Sequence, residues 1–287
     1  MGNKTAFLAW YYLKALVLMK WMGNAYGLLV GGKRAEWDAV YESIEGHDAW
    51  LVIGNGPSLQ LQDIEAFYQL GIPTIASNKI NILFNRTNWR PTMYTIGDAL
   101  LLHKLPASHF RDFSRVFLPS KYVFMAKTRN LLPWRHIFDG AGEKKYVIDR
   151  ETLSPLNGFF PGSTITCLNL QIAMWAGART IYLIGCDHFY SNETSTRVAK
   201  KSPHEGESNH FDPNYRKPGE IVNQAPVENM NRSYGVIRKI ADQRGVRILN
   251  ISRRTALEAF ERDTVENALA AVRSAAGDTV PDQAHAH

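Results

Sequence analysis

The run Ala49-Trp50-Leu51-Val52-Ile53-Gly54-Asn55-Gly56-Pro57-Ser58-Leu59 constrains this chain more than any other stretch. A short apolar run bounded by glycine predicts a buried parallel strand, and apolar positions at Leu61, Ile64, Phe67 and Leu70 predict a helix directly after it. Gly54 and Gly56 permit a sharp turn and a close backbone approach to a ligand. Pro57 suits the first helical position, where its missing N–H would be unpaired anyway. Free amides at such a helix start coincide with the positive end of the helix dipole and favour phosphate, so the amides of Gly56 and Ser58 are the first candidate ligand groups.

A second strand, Ile72 to Ala76, ends at Ser77-Asn78-Lys79. A dinucleotide-binding fold would place an acid about 20 residues past the glycines and a third glycine where this chain has Leu59. Neither is present, which argues against an NAD enzyme. On the residues alone, Asn78 reads as an asparagine taking up a left-handed turn. A third strand, Met93 to Ile96, closes with Gly97-Asp98. Between Lys104 and Arg150 the segments Arg115 to Leu118, Tyr122 to Met125 and Lys145 to Ile148 are short strand candidates. Arg129, Arg135 and His136 in this region are solvated surface or acceptor contacts.

Phe160-Pro161-Gly162-Ser163-Thr164 leads into a helix with apolar positions Ile165, Leu168, Ile172 and Trp175. Ser163 or Thr164 is a natural N-cap, and a helix start beside two hydroxyls also binds phosphate or carboxylate. The run Thr180 to Ile184 predicts another buried strand, followed by Gly185-Cys186-Asp187-His188-Phe189-Tyr190. Residues 191–226 are polar and proline-rich, which predicts a long lid loop without regular elements. A helix follows with Met230, Tyr234, Ile237 and Ala241 on one face, then a last strand, Val246 to Ile251, and a short helix around Ala256 to Phe260. The Ala-rich tail 264–287 reads as at most one helix followed by disorder.

The motifs Gly54-Asn55-Gly56-Pro57-Ser58-Leu59 and Gly185-Cys186-Asp187-His188-Phe189-Tyr190, about 130 residues apart, resemble those of bacterial CMP-sialic-acid-dependent sialyltransferases. The wider sialyltransferase-like group includes flagellin nonulosonate transferases and archaeal hydroxymethylpterin diphosphokinases. The resemblance spans roughly residues 47 to 252. It implies an inverting, metal-independent glycosyltransferase that moves a sialic-acid-like or Kdo-type sugar from a CMP donor to a glycan or glycolipid hydroxyl, with no cofactor beyond that donor substrate. Gly54, Asn55, Gly56, Ser58, Asn78, Asp98, Ser163, Thr164 and Asp187 match, by motif or by place, the residues around the donor. Tyr190 and Tyr215 match in type the tyrosines that donate to the leaving phosphate. The base should be a histidine, whose pKa lies near working pH. His210, beside Asp212, is the first choice, His188 the second and His204 the third; all three are carried over by type and region, because the family's histidine sits nearer the following helix. The competing reading is an ATP- and Mg²⁺-dependent diphosphokinase of the pterin type, with Asp98 and Asp187 as metal ligands. A third is a non-catalytic nucleotide-binding or scaffold protein.

The wider sequence bounds these readings. No Asp-x-Asp and no G-K-[S/T] occurs, so neither a divalent-cation sugar transferase nor a P-loop kinase is supported. A formal charge of +6 suits nucleotide phosphates or anionic lipid, while the scattered basic residues argue against nucleic acid. Two cysteines, Cys167 and Cys186, make no disulfide framework, and a reducing cytoplasm is the default. Residues 1–45 read as an N-terminal helical segment. Its stretch from Ala6 to Val30 is either an ordinary packing helix or an interfacial one, with Lys14 and Lys20 snorkelling and Trp10, Tyr11, Tyr12 and Trp21 at headgroup level. The expectation is a Rossmann-like α/β domain over residues 46–263, mostly parallel, with helices on both faces and a lid. It would work in the cytoplasm, peripheral on the inner face of the membrane through residues 6–30, with a second copy of the chain admitted as a partner.

Overall fold

A computed structural model describes residues 28–135, 153–160, 162–191, 201–203 and 208–277. Helix α1 (Arg34–Ile44) leads into strand β1 (Ala49–Ile53), helix α2 (Leu61–Gln69), strand β2 (Thr74–Ser77) and strand β3 (Met93–Thr95). Helix α3 (Ala99–Lys104), strand β4 (Val116–Pro119), strand β5 (Leu131–Trp134), helix α4 (Ile165–Trp175) and strand β6 (Thr180–Ile184) follow. Strands β7 (Lys201–Pro203) and β8 (Ile221–Asn223) precede helix α5 (Val227–Arg244), strand β9 (Arg247–Asn250), strand β10 (Glu261–Arg262) and helix α6 (Val265–Gly277).

Eight strands form one sheet in the order β10-β9-β6-β1-β2-β3-β4-β5, and every pairing in it is parallel. The chain fills one side from β1 to β5 and then returns to the far side of β1 with β6. Strand order therefore reverses between β1 and β6, and in open α/β sheets the ligand crevice lies beyond the strand ends at that point. Alternate residues of each strand face opposite layers. Trp50, Val52, Ile181 and Leu183 join a core under α1, α4 and α5, whereas Leu51, Ile53, Tyr182 and Ile184 join a second core under α2, α3 and α6. Burial on both faces explains why these strands read as continuous apolar runs.

Helix α4 is buried at every residue from Thr166 to Met174, three polar side chains included. Gln171 grips the backbone of Phe160 from both sides, its Oε1 accepting from N at 2.8 Å and its Nε2 donating to O at 2.7 Å. Asn169 Oδ1 accepts from Thr95 Oγ1 at 2.6 Å, tying the helix to β3. These bonds fix the chain that enters α4, and with it the residues that face the cleft.

Several expectations change. The helix after the first glycine motif starts at Leu61, so Pro57 lies in a turn closed by the Leu59 amide on the Gly56 carbonyl at 3.1 Å and not at a helix start. Tyr122 to Met125 belongs to a 3-10 turn, Ser120–Met125, and the strand of this region is β5, which sequence reading passed over. Residues 256–260 form no helix, and a two-residue strand, β10, follows them. Inside the expected lid loop, β7 and β8 pair as an antiparallel ribbon. Helix α6 packs Val265, Ala268 and Val272 into the second core, and α1 packs Trp37, Val40 and Ile44 into the first. Lys145 to Ile148, His136, His204 and the aromatic residues of the N-terminal stretch lie outside the described residues. Among the described residues no helix is long and apolar enough to cross a membrane.

Candidate functional site

The two glycine motifs meet at the reversal point. The Gly54 amide donates to Ile184 O and the Gly56 amide to Gly185 O, both at 2.7 Å, so the β1–β6 ladder runs on past the strand ends. Glycine is required here by contact with protein. A Cβ on Gly54 would stand 2.3 Å from Gly185 O, and one on Gly56 would stand 2.5 Å from Asp187 Oδ1. Ser58 donates to Asp187 twice, from its amide at 2.8 Å and from its hydroxyl at 2.5 Å. The amides of Gly56 and Ser58, expected to grip a donor phosphate, are thus taken up by the second motif. The glycines hold the two loops together.

Asp187 is buried, and burial pushes its carboxyl above the usual carboxylate range against the pull of Ser58's two donors. Cys186 beside it is pushed up to about 12 by the same desolvation, which keeps its thiol protonated and inert.

What these loops enclose is a small cavity of about 120 Å³ between the ends of β1, β2 and β6, lined by Asn55, Ser77, Asn78, Asp187, His188 and His210 among others. Three polar atoms at its wall are buried without a hydrogen-bond partner: Asn55 Oδ1, Ser77 Oγ and Asn78 Oδ1. Buried polar atoms left unpaired cost about 1–3 kcal/mol each, so a cluster of them at one wall marks a place where a ligand supplies the missing donors. Asn78 adopts the left-handed conformation, φ 60°, so it takes the turn and lines the cavity at once. The turn is braced by the Tyr94 hydroxyl, which lies 2.7 Å from Asn78 O and 2.9 Å from His109 Nε2.

A second cavity of about 960 Å³ shares Asn78, Thr164, Ile165 and Tyr190 with the first and adds Asp98, Ser163 and Asn223. Thr164 is the N-cap of α4, its hydroxyl accepting from the Thr166 amide at 3.4 Å. The Ser163 amide donates to Ser233 Oγ at 3.1 Å, and its hydroxyl accepts from Asn229 Nδ2. Gly162 to Ile165 all line the larger cavity, so the start of α4 is where the fold offers hydroxyls and a helix dipole to a phosphate. Asp98 caps α3, accepting from the amides of Leu100 at 2.8 Å and Leu101 at 3.3 Å, and from Asn223 Nδ2. Among the described residues no three His, Cys, Asp or Glu side chains converge as metal ligands would.

The remaining candidates divide. Tyr190 lines both cavities, and burial raises its phenol further above the ordinary value, which keeps it a proton donor. Tyr215, only 1% exposed, lies away from both cavities, and its hydroxyl accepts from the Lys79 amide at 3.3 Å, so its place is under the lid and not against a leaving phosphate. His210 stacks on the Tyr215 ring at 3.8 Å and 5° and faces the small cavity. Asp212 accepts from the Asn214 amide at 2.8 Å and so shapes the turn that carries Tyr215. His188, at φ 57°, places Nε2 2.6 Å from Asn231 Oδ1 and lines the same cavity. The lid segment closes over the first motif through the Phe211 amide on Asn55 O at 3.0 Å.

Sequence reading missed Ser77, Asn223, Asn229 and Asn231. The last two sit in the opening turns of α5, where polar residues read as a solvated helix face. Fold and cleft together define a Rossmann-like α/β protein whose candidate ligand site lies where strand order reverses. Comparison of the chain with protein-family models, with curated proteins and with solved structures finds no match.

Proposed function

We infer that the protein is an inverting glycosyltransferase that uses a CMP-activated keto-acid sugar, a sialic-acid-like or Kdo-type donor, and passes the sugar to a hydroxyl of a glycan or glycolipid. The observation that carries this reading is the wall of unpartnered acceptors, Asn55 Oδ1, Ser77 Oγ and Asn78 Oδ1, at the small cavity. Such a wall suits the hydroxyls of a ribose and the amino group of a cytosine. The resemblance of both glycine motifs to sialyltransferase-like enzymes supports the same class.

In this reading part of the nucleoside enters the small cavity and the rest extends past Asn78 and Tyr190, which both cavities share. The phosphate lies near Ser163 and Thr164 with the Tyr190 hydroxyl donating to it, and the sugar enters the larger cavity. The acceptor oxygen attacks the anomeric carbon while the bond to the phosphate oxygen breaks, and CMP leaves with the electron pair. His210 or His188 takes the acceptor proton; both line the small cavity and not the larger one, so the reading requires the acceptor oxygen to reach the seam that the two cavities share at Asn78, Thr164 and Tyr190. A buried donor aimed at the departing oxyanion contributes about 3–4 kcal/mol to such a step. Asp98 and Asp187 both accept from protein donors, which weights the reading towards transfer without a divalent ion.

A donor screen by mass spectrometry tests this, with CMP-sialic acid, CMP-Kdo and related nonulosonates offered alongside a pool of glycans. Release of CMP together with a product heavier by one sugar is the expected result. Formation of AMP from ATP and Mg²⁺ with a diphosphorylated product would replace it with the diphosphokinase reading.

A further inference from the structure

The larger cavity carries a group of cations that the placement of the donor given above leaves unassigned. Lys121, from the 3-10 turn after β4, Arg216, from the lid, and His103, in the last turn of α3, all line it. Among the described residues neither Lys121 nor Arg216 has a carboxylate within salt-bridge distance, and the His103 ring makes no hydrogen bond. The Lys121 ammonium has only the Tyr122 ring, 4.8 Å away. Of the carboxylates among the described residues, only Asp98 lines the cavity, and its oxygens are held by the amides of Leu100 and Leu101 and by Asn223. Glu220 on the lid feels the Arg216 charge, but its carboxylate is engaged by Lys104 at 3.5 Å and Lys79 at 3.8 Å.

Half-buried cations that no carboxylate contacts are costly, because desolvation penalises charge that is not fully offset. Burial indeed lowers the Lys121 pKa, and no opposing carboxylate raises it again. An anion entering the cavity would remove that cost. A guanidinium and an ammonium around one site match phosphate best, the first through its planar fork and the second as a point charge.

We propose that Lys121 and Arg216, with His103 beside them, bind a phosphate group carried by the acceptor, so that the substrate class is a phosphorylated sugar or a glycan on a lipid phosphate. The acceptor role rests on the transferase reading, whereas the phosphate site rests on the cavity alone.

The test uses the full chain and the double variant Lys121→Gln/Arg216→Gln. Glucose 1-phosphate is titrated against glucose, and vesicles of phosphatidylcholine with and without phosphatidylglycerol are pelleted with the protein. The expected result is that glucose 1-phosphate binds, that glucose does not, and that the double variant weakens the phosphate response at least tenfold. Loss of vesicle binding in the variant, with no glucose 1-phosphate response in either protein, supports the same chemistry and identifies a lipid headgroup as its source. Responses equal in parent and variant overturn the proposal. Binding of N-acetylneuraminate through the same two cations, with glucose 1-phosphate ignored, also overturns it, since the anion would then be the donor's carboxylate. CMP affinity is measured on both proteins. Its absence beside an intact phosphate response rejects the nucleotide reading alone, and its persistence beside a missing one rejects this proposal alone.

Discussion

Asp187 does at residue scale what the helix start had been expected to do: it occupies the Ser58 amide and thereby locks the two glycine motifs to each other. Its carboxyl is raised by burial, so ionisation costs folded-state stability. That component is present in full below the unfolded carboxylate pKa of about 3.9 and is lost as pH rises through the folded value. Asp187→Asn lacks the titration, so the stability difference between parent and variant should shift in the variant's favour as pH rises through the mildly acidic range, measured by urea unfolding at several pH values. Gly56→Ala should cost about 1–3 kcal/mol, since its Cβ would lie 2.5 Å from Asp187 Oδ1 and 2.7 Å from a backbone oxygen that cannot yield. On the transferase reading, His210→Ala should keep CMP binding and lose transfer by about 10²- to 10⁴-fold, the range for a general base. Unchanged turnover would pass the role to His188, on the same cavity.

Elements position these residues through buried polar contacts, and the brace under Asn78 is the clearest case. His109 is held at about 4, down from 6.5, chiefly because burial disfavours its cation. A folded pKa below the unfolded one leaves stability intact above 6.5 and erodes it as pH falls towards 4, by about 1.4 kcal/mol per unit and so by roughly 3 kcal/mol in all. His109→Gln should flatten this slope in thermal unfolding between those limits. At this scale the strands and helices of the sheet were legible in the sequence, because β1 and β6 are apolar runs flanked by glycine, and the buried face of α5 repeats through Met230, Tyr234, Ile237 and Ala241. Strand β5 was not, since Pro133 inside Leu131–Trp134 argues against a strand, and only its edge position lets the proline stand. The β7–β8 ribbon was hidden for a similar reason: three-residue strands in a polar segment carry no alternation long enough to read. Among site residues, Asn55, Asn78, Ser163, Thr164, Asp187, His188, Tyr190 and His210 reach the cleft. The roles of the Gly56 and Ser58 amides and of Tyr215 were misread, because nothing local to either motif says which distant partner will take up its hydrogen bonds.

The molecule as a whole places a polar crevice where its strand order reverses, opens it into a much larger cavity, and lays a lid segment over the first motif. Its net charge of +6 and the Lys121 and Arg216 cations of the larger cavity are consistent with anionic ligands. The central claim is that Asn55 and Asn78, at the wall of the small cavity, hold the nucleoside end of cytidine monophosphate without a divalent ion. The most direct measurement is the thermal midpoint of the full chain in EDTA with CMP. At a hundred times its Kd, CMP should stabilise the fold by about 2.7 kcal/mol, an upward shift of several degrees that Asn55→Ala/Asn78→Gly abolishes. No shift with CMP in EDTA, beside a clear one with ATP and Mg²⁺, would contradict it.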